Sequence, residues 1–278
     1  MTMKKILLFF VALVATLSMN AQTTEIYKGA TKEATYSGAD VTVKFGTDSI
    51  RVSQGDVTKA SYPAEYKVVS KELPPTPAGS IGKAKRTGGI DVNWVQLWEG
   101  GPKFAEYNVG ATSATDYGGY YAWGGSQDKV DDHNTGSGNL TGTDDTAIML
   151  WGNNWRMPTA DELGKQDGDP YIDGLLGKCT VEWIDGINKK YNDTDAKGLL
   201  CTGKGDYATN SIFLPAAGYC EEKVVNNQGM QGLYWSSTRV SNKFANDMRF
   251  GSNGYWGVFD DPFGYCISVR AVLYEGDK

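Results

Sequence analysis

The sequence predicts an α+β fold made mostly of short β-strands and long loops, with two helices, preceded by a small β-rich module. Three observations carry this. Glycine (35), tyrosine (16) and tryptophan (8) are generous for a chain of 278 residues, a texture of loops and aromatic-rich strands. Apolar side chains alternate along many short stretches, the period of a strand with one buried face. Helix-start signals stand at two places, Asp144-Asp145 before Thr146-Ala-Ile-Met-Leu150 and Thr159 before Ala160-Asp161-Glu162.

Taken in order, the chain opens with Lys4 and Lys5, an apolar run from Ile6 to Leu17, then Ser18, Asn20 and Ala21-Gln22. A charged start, an apolar stretch too short to span a bilayer and a small residue at a cut point read as a signal peptide over 1–21. The expectation is a secreted or cell-surface chain cleaved near Ala21, with no transmembrane segment in its mature part. No cysteine follows the apolar run, so a lipoprotein anchor has no attachment point. Residues 22–71 carry alternating strands at Asp40–Phe45, Ser49–Val52 and Tyr66–Val69 and form the small β module. Residues 72–88 begin Glu72-Leu-Pro-Pro-Thr-Pro77 and continue through Lys83, Lys85 and Arg86. Proline fixes φ and removes donors, so this stretch reads as a stiff, solvated linker. Residues 89–278 form the main domain. Its strands are expected near Val92–Leu97, Lys103–Val109, Ser211–Leu214, Leu233–Ser236, Met248–Phe250, Tyr255–Phe259 and Ile267–Leu273. At Thr159, Glu162 three residues on completes a capping box.

Charge and residue counts narrow the function classes. A net charge of −6 offers no general attraction to nucleic acid. The single histidine, His133, argues against a closed zinc site and against a Ser-His-Asp triad. Cys179, Cys201, Cys220 and Cys266 are too far apart in sequence for a CxxC motif. Secretion permits disulfides, and four cysteines leave three pairings open. No cofactor is expected. Asp128, Asp131, Asp132 and Asn134 carry hard oxygen ligands of the kind calcium takes, but their spacing fits no EF-hand. Asp48-Ser49-Ile50 and Asp145-Thr146-Ala147 have the form of a short Asp-Ser/Thr-apolar O-glycosylation signal.

Six ordered segments resemble one family. They are Phe104–Thr112, Tyr117–Gly124, Trp151-Gly-Asn-Asn-Trp-Arg-Met-Pro-Thr159, Phe213–Tyr219, Tyr234-Trp-Ser-Ser-Thr238 and Ser268-Val-Arg-Ala-Val272. Together they make residues 89–275 similar to the Fibrobacter succinogenes major paralogous domain. That resemblance implies a C-type-lectin-like fold shared with formylglycine-generating enzymes and with the variable proteins of diversity-generating retroelements. It also implies a diversified stretch just before the Ser268-Val-Arg motif. The motif residues themselves read as scaffold. Large indoles fill a core, and Arg156 and Arg270, set among apolar neighbours, need buried acceptors.

Function is expected between Arg239 and Cys266. Along Arg239–Phe250, apolar Met248 and Phe250 alternate with Asp247, Arg249 and Gly251, so one face enters the core and the other is presented. The following segment packs Tyr255, Trp256, Phe259, Phe263 and Tyr265 among glycines and acids, a composition suited to contact surfaces. The candidate ligand-binding residues are Arg239, Asn242, Phe244, Asp247, Arg249, Asn253, Tyr255, Phe259, Asp260, Phe263 and Tyr265. Alternation puts Tyr255 and Phe259 outward together, with Trp256 and Val258 as a buried pair. The reading is a non-enzymatic ligand-binding or adhesion protein for a protein or glycan. Its alternatives are a structural fimbrial or matrix subunit and an enzyme of the formylglycine-generating type, whose closely spaced cysteines are missing here.

Overall fold

The computed structural model describes residues 15–18, 22–28, 30–38, 41–45, 49–54, 57–63, 66–72, 75–126, 138–164 and 173–276. Most of the signal segment, the Ala21 cut point, Asp48, the Asp128–Asn134 oxygen cluster and His133 lie outside them. The chain divides into two compact units, Met1–Pro74 and Pro75–Lys278.

The first unit is all β: β1 (Ala15–Ser18), β2 (Gln22–Lys28), β3 (Thr31–Gly38), β4 (Val41–Phe45), β5 (Ser49–Gln54), β6 (Val57–Pro63) and β7 (Lys67–Glu72). They form an antiparallel sheet in the order β1-β4-β5-β6 and a second in the order β3-β2-β7. The register sets Val43 opposite Val52, so these two share one face. Val43, Ile50 and Val52 from one sheet and Ile26 from the other make a common core, with Ala34, Tyr62 and Tyr66 packed on it. Strand β1 takes the end of the apolar leader run and pairs it along β4.

The second unit opens with β8 (Ile81–Arg86), β9 (Ile90–Gln96) and β10 (Lys103–Ala105). Next come α1 (Thr146–Trp151), β11 (Trp155–Arg156), α2 (Ala160–Leu163) and α3 (Gly174–Lys178). The strands β12 (Thr180–Ile184), β13 (Gly198–Thr202), β14 (Ser211–Pro215), β15 (Tyr219–Glu221) and β16 (Val224–Asn226) follow. The chain finishes with β17 (Gln231–Arg239), β18 (Phe244–Gly251), β19 (Trp256–Pro262) and β20 (Val272–Leu273). Sheet orders are β11-β20-β10-β9-β8, β12-β13-β14, β15-β16 and β17-β18-β19. The described residues are thus mostly β-sheet with three short helices, one more than the sequence signals. No helix among them is long and apolar enough to cross a membrane.

Both expected helix starts are built as their residues dictate. The Asp145 carboxylate accepts from the Ala147 and Ile148 amides at 2.8 and 3.1 Å, capping α1, and its other oxygen accepts from the Met157 amide at 2.8 Å. Thr159 and Glu162 complete their capping box, and Gly164, at φ 118°, ends α2 in the left-handed region. Arg156 donates to both Glu162 oxygens at 2.7 and 2.6 Å and to the Met157 carbonyl.

Two cores hold the unit. Trp94, Trp123, Trp151, Trp155 and Trp235 dominate one; Leu97, Phe104, Leu199, Tyr234, Met248 and Phe250 lie in the other. Three of the indole N–H groups find carbonyls: Trp123 on Ser236, Trp155 on Lys85 and Trp235 on Tyr121. Arg270 is 1 % exposed and ends on neutral acceptors alone. Its Nε donates to Asn108 Oδ1, and its two terminal nitrogens donate to the carbonyls of Ala105, Glu106 and Phe213, at 2.9–3.0 Å. Burial lowers its pKa.

Three expectations change. The stretch Ile81–Arg86, read as part of a linker over 72–88, is strand β8 paired along β9. Lys83 and Lys85 point to solvent and Arg86 lies over the Trp151 ring, while the backbone carries the ladder, and the Lys85 carbonyl also accepts from Asn154 and Trp155. The expected strand Ile267–Leu273 is regular only at Val272–Leu273. Earlier in it, Ile267 bridges Tyr121 and Ser268 bridges Tyr234, so single residues serve different neighbours. Thr146 is fully buried with its hydroxyl on the Gly125 carbonyl, which removes it as a glycosylation site.

Candidate functional site

The sheet β17-β18-β19 carries most of the candidate residues, and its register decides what each can do. Leu233, Trp235, Ala245, Asp247, Arg249, Gly257, Phe259 and Asp261 share one face, because Trp235 and Phe259 both stand opposite Asp247. Tyr234, Met248, Phe250, Trp256, Val258 and Asp260 share the other. The first face packs Leu233, Trp235 and Ala245 into the tryptophan core; the second packs Tyr234, Met248 and Phe250 into the other core. Both faces of β17 and β18 are therefore covered, which corrects the expectation that β18 presents one face. Asp247 is 0 % and Asn246 4 % exposed. What reaches solvent is the edge strand, β19.

On β19 the aromatic side chains emerge. Phe259 is 41 % exposed and its ring is held from two sides, by the Arg249 guanidinium 5.2 Å from its centroid and by Tyr255 edge-on at 6.5 Å. Tyr255 is itself fixed by its hydroxyl donating to Gln231 Oε1 at 3.1 Å. Tyr255 and Phe259 do lie together, as alternation predicts. Val258 packs on a core as expected, but Trp256 does not join it: at the exposed start of the edge strand it stays 37 % exposed. Asp260, four residues on along the strand, is also exposed.

Behind Phe259 stands a charged cluster. Arg249 bonds Asp261 directly, a partly buried ion pair. Asp247 lies on the other side of Arg249, its carboxylate 3.5 Å from Nε. Neither Asp247 oxygen makes a hydrogen bond. Burial first, and the neighbouring Asp261 charge second, push the Asp247 pKa up to about 7.

The remaining candidates divide. Arg239 lies over the rings of Trp123 and Phe263, at 5.4 and 4.9 Å, and donates to the Gly138 carbonyl. Phe263 stacks on Trp123 at 4.5 Å and packs on the tryptophan core, and Tyr265 stacks on Tyr219 at 5.8 Å. Phe263 and Tyr265, expected as free anchors, are thus tied into packing. Asn242 and Asn253 are exposed and Phe244 is half-buried. Tyr255, Phe259, Arg249 and Asp247 form one group, whereas Arg239 and Phe263 form another with Trp123.

A concavity of about 1030 Å³ opens beside α1, β11 and α2, with Ile148, Arg156, Glu162, Ser237 and Tyr274 on its walls. Its charged groups already serve structure: Arg156 holds Glu162, and Asp145 caps α1, with burial raising its pKa against three backbone amides. No local pattern in the sequence announces this cleft, since its walls come from four separate segments. Among the described residues no group of three His, Cys, Asp or Glu side chains gathers as a metal site.

Comparison of the chain with protein-family models, curated proteins and solved structures finds no match.

Proposed function

We propose that this chain is a secreted or cell-surface binding protein without enzymatic activity, whose second unit is a C-type-lectin-like scaffold presenting β19 to a protein or glycan. The observation that carries the reading is the exposed aromatic edge. Trp256 and Phe259 keep 37 % and 41 % of their surface in solvent on a strand whose neighbours are buried on both faces. Rings held in place beforehand lose little entropy on contact, so an anchored aromatic gains more from a ligand than a mobile one. Arg249 and Tyr255 hold Phe259, and Asp260 adds an exposed charge on the same strand. The scaffold half of the reading is supported by the six family-like segments and by β20, which returns beside β10 and so joins the two ends of the unit in one sheet.

The test is binding of the full chain to a panel of soluble oligosaccharides and purified surface proteins, with Phe259→Ala and Trp256→Ala compared. A ligand of this edge should bind each variant at least about 30-fold more weakly, the scale of an anchor worth about 2 kcal/mol. Melting temperatures should stay within about 3 °C of the parent, since neither ring is buried. A ligand that binds the double variant normally moves the site elsewhere.

One observation favours the runner-up, a fimbrial or matrix subunit. Cleavage near Ala21 would remove β1 and leave β4 with an open edge, the kind of edge that accepts a strand from another chain. Concentration-dependent polymerisation of the cleaved chain, measured by light scattering, separates this from a monomeric binder.

A further inference from the structure

Cys220 and Cys266 meet across an isolated antiparallel bridge in which each amide donates to the other residue's carbonyl, at 2.7 and 3.1 Å. A pair that exchanges both bonds brings its Cα atoms to about 5.5 Å with the side chains on the same side, inside the range a disulfide spans. Both side chains are buried and share a small apolar cluster with Ala122, with Tyr120 packed against it. The register is held on all sides. Cys220 pairs with Val225 of β16, Ile267 bridges Tyr121, and the rings of Tyr219 and Tyr265 stack at 5.8 Å. The backbone register of the two residues is therefore compatible with a bond between their sulfurs.

The other two cysteines are placed differently. Cys179 and Cys201 lie in the core of Leu97 and Phe104, a different cluster from that of Ala122. The register sets Val181, not Cys179, opposite Cys201. Burial pushes the Cys179 thiol up to about 12 and the Cys201 thiol well above its ordinary value, which keeps both protonated.

We propose that Cys220 and Cys266 form a structural disulfide, which rules out the two pairings that join either of them to Cys179 or Cys201. In the bond-forming step the two thiols lose two protons and two electrons to an external disulfide. One sulfur–sulfur bond forms in the protein, and the one in the oxidant breaks to give two thiols. Oxidised glutathione supplies this in vitro, and an extracytoplasmic thiol–disulfide oxidoreductase would supply it in a secretory compartment. The bond closes residues 220–266 into a covalent ring containing β16, β17, β18 and β19. That it steadies a binding edge rests on the functional reading above; the bond itself does not.

The experiment uses the full chain refolded in a reduced and oxidised glutathione mixture, alkylated with N-ethylmaleimide without reductant, digested with trypsin and mapped by mass spectrometry. Cleavage after Lys178, Lys197, Lys204, Lys223 and Arg249 puts the four cysteines in four different peptides. The expected result is the peptide holding Cys220 linked to the peptide holding Cys266, lost on reduction. The linked chain should melt about 4 °C or more above its reduced form. Alkylated Cys220 and Cys266 in the refolded chain, or either one linked to Cys179 or Cys201, overturns the proposal. Because the unsubstituted chain is mapped, the result does not depend on a cysteine variant folding. It is also read without any ligand, so it can fail while the binding edge stands.

Discussion

Arg270 and Asp247 are both buried charges in the second unit, and the fold treats them in opposite ways. Arg270 has four acceptors at hydrogen-bond distance, none of them charged. It gathers the end of β10 and the residues after it, the middle of β14 and the return to β20 around one guanidinium. Asp247 has no hydrogen bond to either oxygen, only the Arg249 charge at 3.5 Å, while Arg249 spends its own bond on Asp261. A satisfied buried ion specifies a scaffold; an unsatisfied one is a local cost that persists where neighbouring structure over-determines it. The first sits deep among the family-like segments. The second sits directly behind Phe259 and the exposed edge.

That contrast can be broken at its stronger end first. Arg270→Met should destabilise the second unit by about 4 kcal/mol or more, because three carbonyls and the Asn108 side chain lose their donor inside the core. Urea denaturation followed by tryptophan fluorescence reads this directly. A loss below about 1 kcal/mol would mean that water replaces the guanidinium and that Arg270 is no hub.

The weaker end predicts a gain. The folded pKa of Asp247 is raised to about 7 from an ordinary value near 3.8, so the folded chain holds a proton that the unfolded chain releases. Its contribution is fully favourable below about pH 4, declines as pH rises and is gone above about pH 7. Stability should therefore fall across that window by roughly 2–4 kcal/mol on this account alone. Asp247→Asn should flatten the decline and be more stable than the parent at pH 8, with the difference vanishing near pH 4. Melting temperatures measured from pH 4 to pH 8 decide it. A variant that is less stable at pH 8 would show that the Arg249 charge outweighs the desolvation of Asp247.

The smallest expected effect sharpens the comparison by testing strain of another kind, in the backbone. Strands β15 and β16 are joined by Glu222 and Lys223 alone, at φ 49° and 68°. Both residues sit in the left-handed region that the mirror-image two-residue turns require and that glycine or asparagine fills at less cost. Lys223→Gly should stabilise the unit by about 1 kcal/mol, visible as a small rise in melting temperature.

Much of the local structure was legible in the residues. Asp145 before α1 and Thr159 with Glu162 before α2 act over three residues, so no tertiary contact can rearrange them cheaply. The alternation around Val43, and of Ile50 and Val52, predicted short strands, and β4 and β5 form there with Val43, Ile50 and Val52 buried. Arg156 and Arg270, set among apolar residues, had to find buried acceptors. Alternation also put Phe259 of β19 together with Tyr255 just before it.

The tertiary structure alone decided what covers each face. Period-two patterning says which side chains lie together, but not whether a second core closes over the other side; that closure buried Asp247 and left β19 as the exposed edge. Trp256 looked like a core residue because indole is large and apolar, yet its position at the open end of an edge strand leaves too few neighbours to enclose it. Lys83, Lys85 and Arg86 looked like a tether because side-chain polarity is visible in a sequence and backbone pairing is not. The three cysteine pairings were equal on paper for the same reason. Only the meeting of residue 220 with residue 266, brought together by strands far apart in the chain, distinguishes one of them.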